Sequence, residues 1–178
     1  MKDLTIKIAH SPADQALCRE VRREVFIEEQ GVPASIEIDE YEDKADHFLA
    51  LLGGKPVGAG RMRIKKSYAK FERIATLKVL RGTGIGRQIM ELMQKHARRS
   101  YPEYLPAMHA QQEAVGFYEK LGWIAVGDTF YEANIPHRVL ILPPEDQSVI
   151  KRLRLWQDSE VREDIKAYLR TLGSSATS

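Results

Sequence analysis

Three glycines at alternate positions, Gly82, Gly84 and Gly86, constrain this chain more than any other feature; they sit in the stretch LKVLRGTGIGRQIM. Before them runs a strand-like segment, FERIATLKVL, and after them Ile89, Leu92, Met93 and His96 mark one helix face. Glycine has no Cβ, so backbone amides at such a junction can come close to a ligand. The first amides of the helix lack intrahelical partners and carry the positive end of its dipole, which favours phosphate. A P-loop would end in Gly-Lys-Ser or Gly-Lys-Thr, whereas Gly86 is followed by Arg87 and Gln88. A dinucleotide-binding turn would place its third glycine after two intervening residues, with an acidic residue about twenty positions on. The spacing here matches neither. A tight turn that holds nothing is the remaining alternative, but three glycines weaken a turn and a helix start unless close approach is needed.

The rest of the chain reads as a mixed α/β sheet. LTIKIAH alternates like a half-buried strand, and Ser11, Pro12 and Asp14 mark a helix start. Leu17, Val21 and Val25 give that helix an apolar stripe that stops near Gly31 and Pro33. Cys18 lies on it and reads as a small buried hydrophobe. The acidic run from Ser35 to Asp46 reads as a solvated loop with a short helical turn. HFLALL and PVGAGRMRI form a hairpin around Gly53, Gly54 and Lys55. After the glycine cluster come a helix to about Ser100, a strand in YLPAMHAQ, and a short helix striped by Ala114, Phe117, Tyr118 and Leu121 and closed by Gly122. WIAVG, TFYEA and HRVLIL supply the last strands.

Pro143 and Pro144 mark the clearest boundary, which divides the chain into a domain over 1–142 and a helical extension over 143–178. In the extension Val149, Leu153 and Trp156, then Val161, Ile165 and Leu169, recur at helical spacing, and the terminal GSSATS reads as a disordered tail. These apolar stripes would pack on the main body or on a second subunit, which makes a homodimer an expectation. A single cysteine excludes an intrachain disulfide framework and fits a reducing compartment. No apolar run approaches the ~20 residues of a membrane span, and the N-terminus has no signal-peptide core. The net charge of +2 is too small to signal nucleic-acid binding. The expectation is a soluble cytoplasmic protein with neither membrane nor nucleic acid as partner.

Arg81-x-x-Gly84-x-Gly86 after a strand, opening a helix, resembles the acetyl-coenzyme-A-binding motif of the GNAT superfamily of N-acetyltransferases. AQQEAVGFYEKLGW resembles the family's second signature, Ala-x-x-Phe-Tyr-x-x-x-Gly-aromatic. VRREVFIEEQGVP, EIDEYEDKADHFLA, VGAGRMR and IPH are similar to a bacterial subgroup called ElaA-like, and the resemblance runs from about Leu4 to Leu142. Thr76, where the family usually has an aliphatic residue, and LKVL, where a proline usually follows the strand, depart from the pattern without touching the glycine turn.

The resemblance implies a GNAT-like, mostly antiparallel sheet flanked by helices, and acetyl-CoA as co-substrate with no metal. It implies that the amides from Gly82 through Thr83, Gly84, Ile85 and Gly86 to Arg87 hold the pyrophosphate, with Arg81 and Arg87 as nearby cations. It further implies that the strand edge at Ala75, Thr76 and Leu77 pairs with the pantetheine arm, and that Tyr118 is the general acid. An alkylamine with a pKa near ~10 arrives as an ammonium and must lose a proton to a base. Glu28 is the candidate base, and Glu29, Asp39, His47 and His137 are candidates for the acceptor pocket, with a water relay as the alternative. The acceptor is a primary amine, of a small molecule or a peptide, that the residues do not identify. The alternative function is a non-catalytic acyl-CoA-binding module that acts through a protein partner.

Overall fold

The structure, a computed structural model, describes residues 3–174. Its strands are β1 (Leu4–Ile8), β2 (Asp46–Leu52), β3 (Lys55–Lys65), β4 (Tyr68–Thr76), β5 (Leu105–Gln111), β6 (Ile124–Glu132) and β7 (Ile135–Ile141). The helices are α1 (Pro12–Arg22), α2 (Ala34–Glu37), α3 (Ile85–Ser100), α4 (Val115–Glu119), α5 (Gln147–Ile150) and α6 (Glu163–Ser174). The strands form one sheet in the order β1-β2-β3-β4-β5-β7-β6, and the pairs β1/β2, β2/β3, β5/β7 and β6/β7 are antiparallel. The chain divides into two compact units, one of Met1–Arg63 with Phe71–His96, the other of Ile64–Lys70 with Ala97–Ser178.

In the first unit Ser11 caps α1, its hydroxyl accepting the Asp14 amide at 3.1 Å. The helix does not stay α-helical to its end. From Arg23 to Glu29 it is a π-helix, with the Gln30 amide donating to the Val25 carbonyl at 3.2 Å. Val21 and Val25 nonetheless remain buried, in a core with Ala9, Cys18, Leu49, Ala59 and Ala75. Burial pushes the Cys18 thiol up to about 12, so it stays an uncharged thiol, as its sequence context suggests. α3 lies directly on β3. A Cβ at Gly58 would meet Ile89 at 2.6 Å, and one at Gly60 would meet the Met93 sulfur at 2.6 Å. Those two glycines therefore let α3 settle onto the strand, and this fixes the helix whose first turn follows the glycine cluster.

The acidic run is not a solvated loop. Glu37 is buried and accepts the Arg22 Nε–H at 2.5 Å, while Glu42 accepts Arg22 at 2.8 and 3.0 Å. Arg61 is fully buried and forks onto Asp39 at 2.7 Å through both terminal nitrogens, and it also donates to Glu42 and Glu72. The run is acidic because arginines from α1, β3 and β4 need carboxylates at the places where they are buried.

In the second unit the extension forms two helices, α5 and α6, with a break between them. Leu153 is extended, the Arg154 amide donates to the Glu103 carbonyl at 2.9 Å, and only a 3-10 turn, Arg154–Gln157, separates α5 from the segment before α6. The break lets both apolar sets reach one core: Ile150, Leu153, Leu155, Val161, Ile165 and Leu169 pack with Leu105 of β5 and Ile141 of β7. The apolar stripes of the extension thus pack within this unit. WIAVG and TFYEA form the single strand β6, irregular between Val126 and Phe130. α6 runs through Gly173, and the rest of the expected tail, 175–178, lies outside the described residues.

Candidate active site

β4 ends at Thr76, earlier than the apolar run LKVL suggests. Lys78–Leu80 forms a 3-10 turn, and the Leu80 and Arg81 amides close back on Leu77 and Lys78 at 2.9 and 3.3 Å. Gly82 at φ +80 and Gly84 at φ +90 then lie in the left-handed region that favours glycine. A Cβ at either position would meet nothing within 4 Å. The backbone there is consequently shaped by glycine and open on the side where a side chain would stand. The first bond of α3 runs from the Gln88 amide to the Gly84 carbonyl at 3.1 Å. The amides of Gly84, Ile85, Gly86 and Arg87 therefore precede the hydrogen-bonded ladder and carry its positive end.

The neighbouring groups are partly engaged. Arg81 forks onto Glu29 with two bonds of 2.7 Å and donates its Nε–H to the Thr76 carbonyl at 3.1 Å. The hydrogen bonds from Arg81 hold the Glu29 carboxyl below its ordinary value. Arg87 pairs along its helix with Glu91 at 2.9 Å. On the strand edge, Ala75 is buried and the Leu77 amide already donates to the Val57 carbonyl at 3.0 Å.

Of the remaining candidates in this unit, Glu28 is exposed on the π-helix, 3.5 Å from Arg23. Asp39 belongs to the buried charge cluster. Burial alone would raise its carboxyl, but the Arg61 fork, with Arg73 behind it, outweighs that and holds the pKa at about 2. His47 is buried, with Nε2 2.8 Å from the Glu42 carbonyl, and it is the direct cross-strand partner of Arg61. The structure thus gathers Asp39 and His47 around Arg61 and joins Glu29 to Arg81, leaving Glu28 apart.

Because the Asp39 pKa is depressed in the folded state, its contribution to stability is present above the unfolded value near ~4 and is lost as pH falls toward about 2. Asp39→Asn is expected to lower unfolding free energy by about 2 kcal/mol at neutral pH, with the difference from the parent chain closing by pH 2. Urea melts at several pH values measure it. A pH-independent difference would show that the Arg61 fork does not depend on the Asp39 charge.

In the second unit Tyr118 is buried on α4. Its ring meets Phe117 edge-on at 5.1 Å, and its carbonyl accepts the amides of Leu121 at 2.9 Å and Trp123 at 3.2 Å. Burial pushes the phenol above its ordinary pKa, so it stays protonated at neutral pH. His137 is buried on β7, with Nδ1 2.7 Å from the Ile135 carbonyl. One pairing escaped the sequence: His109 on β5 holds Glu132 of β6 at 2.7 Å, and that bond lowers the Glu132 carboxyl. No motif links two residues on separate strands. Their alternation on β5 and β6 was the only available signal.

A mixed, mostly antiparallel sheet, with a glycine turn leading from β4 toward a helix N-terminus, is the arrangement expected of the GNAT superfamily. The chain belongs to that family: residues 8–139 match the acetyltransferase (GNAT) domain. It is 45% identical over 118 residues to the uncharacterised N-acetyltransferase YjcF of Bacillus subtilis (strain 168), covering 66% of this chain and 84% of YjcF. A solved protein of Lactobacillus plantarum superposes with TM-score 0.71 at 26% identity, over 79% of this chain and 99% of that one. ElaA of Escherichia coli has the same fold, with TM-score 0.70 at 21% identity, over 78% of this chain and 98% of ElaA. Among the described residues no helix is long and apolar enough to cross a membrane.

Proposed function

We propose that the protein transfers acetyl from acetyl-CoA to a primary amine. The observation that carries this reading is the turn at Gly82 and Gly84, open where a Cβ would stand and followed by helix amides ahead of the hydrogen-bonded ladder. The amides of Gly82 and of Gly84 to Arg87 take the pyrophosphate, with the Thr83 amide kept by the Leu80 carbonyl. Arg81 and Arg87 add positive charge, and the edge at Ala75 and Thr76 receives the pantetheine arm, with the Leu77 amide kept by Val57.

In the transfer, the amine nitrogen attacks the thioester carbonyl carbon; the new C–N bond forms and the C–S bond breaks. The ammonium must first lose a proton. Asp39 is engaged by Arg61 and Arg73, Glu29 by Arg81, and His47 and His137 are buried. Glu28, exposed and itself 3.5 Å from Arg23, takes the proton directly or through water. The departing thiolate takes a proton from the Tyr118 phenol, a transfer that the raised pKa opposes and that a close hydrogen bond to the sulfur must drive, and water restores it. A set of primary amines tested for thiol release from acetyl-CoA checks the reading. Release that depends on one amine class and yields its N-acetyl product supports it. Tight acetyl-CoA binding without release from any amine favours the non-catalytic module.

Glu29 and the Thr76 carbonyl hold three of the five N–H donors of Arg81, so Glu29 competes with a phosphate for it. Glu29→Gln weakens that exposed fork, and exposed pairs are worth up to ~1 kcal/mol. Acetyl-CoA should therefore bind about threefold tighter to the variant in calorimetry. Weaker binding would mean instead that Glu29 holds Arg81 in its working position.

A further inference from the structure

Residues 36–43 face two ways. Glu37, Asp39 and Glu42 turn toward the arginines: Arg22 holds Glu37 and Glu42, Arg61 holds Asp39 and Glu42, and Arg73 holds the Glu37 carbonyl and Asp39. The side chains between them face solvent. Ile36 is 52% exposed, Ile38 51% and Tyr41 36%, and Glu40 and Asp43 are exposed beside them. Seven large hydrophobic side chains are exposed among the described residues, and three of them fall within this one short stretch. Apolar side chains scattered singly over a surface need no explanation, but a gathered set does.

Stability does not account for the way the stretch is held. Buried ion pairs return little net stability, so three arginines converging on one loop fix its shape more than they strengthen the fold. Arg73 donates to the carbonyls of Ile36 at 2.9 Å and Glu37 at 3.2 Å from a strand position at φ +57, left-handed backbone that a non-glycine residue adopts only under constraint. Arg63, held by Glu72 at 2.7 Å, lies 3.8 Å from the centre of the Tyr41 ring and fixes that side chain as well. Apolar side chains on a backbone already ordered lose little further entropy when a partner covers them.

The charges define the partner. Glu40 and Asp43 form no ion pair among the described residues, and the outward side of 36–43 carries no cation before Lys44. The chain as a whole has a net charge of +2, so any attraction for a cation at this stretch is local. Anchors strung along an open stretch suit an extended chain, whereas a small molecule needs a concave pocket. We propose that residues 36–43 dock a polypeptide segment in which lysines alternate with aliphatic side chains. Its lysines meet Glu40 and Asp43, and its aliphatic groups cover Ile36, Ile38 and Tyr41. The surface stands whether or not the transferase reading holds.

The test is fluorescence anisotropy of a fluorescein-labelled peptide of about eight residues, lysine alternating with valine, titrated with the full chain. Binding is expected at a Kd of about 10⁻⁴ M, at least about tenfold tighter than for the same peptide with glutamate in place of lysine or serine in place of valine. The double variant Ile36→Ser, Ile38→Ser should lose about tenfold, and Glu40→Gln with Asp43→Asn should lose about threefold and flatten the salt dependence. These side chains are exposed, so both double variants should melt as the parent does. Tyr131→Ser, which removes an exposed aromatic of β6, should leave the affinity unchanged. No binding of the lysine–valine peptide, equal binding of the glutamate or serine peptide, parent affinity in the Ile36→Ser, Ile38→Ser chain, or an equal loss in Tyr131→Ser overturns the surface.

Discussion

Gly84→Glu is expected to reduce acetyl-CoA affinity by about 10³-fold or more. Two effects combine in that variant. Any side chain at φ +90 strains the backbone by about 1–2 kcal/mol. The glutamate then projects into the space that a Cβ at this position leaves open and sets a negative charge against the pyrophosphate, which costs several kcal/mol. Gly84→Ala separates the two, because it carries the strain without the charge. It should lose less than about tenfold in affinity, with a melting temperature lowered by a few degrees in both variants. Equal losses in the two variants would mean that the turn's shape matters and its exposure to a phosphate does not.

The second large effect is expected on rate. Tyr118→Phe should lower kcat by about 10²–10³-fold while leaving the KM for acetyl-CoA close to its parent value, as loss of a general acid does. The phenol's pKa is raised, so the working, protonated form persists as pH rises and is lost only above the ordinary tyrosine value of ~10. A parent rate that falls at lower pH would then report a different group. A kcat retained in the Phe variant would remove Tyr118 from the chemistry and leave it as a buried aromatic of α4.

Much of this arrangement was legible because it is local. Ser11, Pro12 and Asp14 announce α1, the paired glycines announce the β2–β3 hairpin, and Gly82, Gly84 and Gly86 sit next to the helix they open. What the sequence hid depends on distant partners. Glu37, Asp39 and Glu42 look like a solvated acidic loop until Arg22, Arg61 and Arg73 arrive from α1, β3 and β4. Glu29 gives no local sign of its fork with Arg81, 52 positions away. The extension had helical periodicity, yet the bond from Arg154 to Glu103 breaks it and turns both halves toward one core. The π-helix is not marked by the apolar stripe, since Val25 inside it keeps the four-residue spacing of Leu17 and Val21 on α1.

The glycine amides offer the most direct measurement. In the ¹⁵N-labelled protein, saturating acetyl-CoA should shift the resonances of Gly82, Gly84 and Gly86 and leave those of Gly53 and Gly54, in the β2–β3 turn, in place. Resonances of the three that stay where they are, while acetyl-CoA binds elsewhere or not at all, would contradict the placement of the pyrophosphate at this turn.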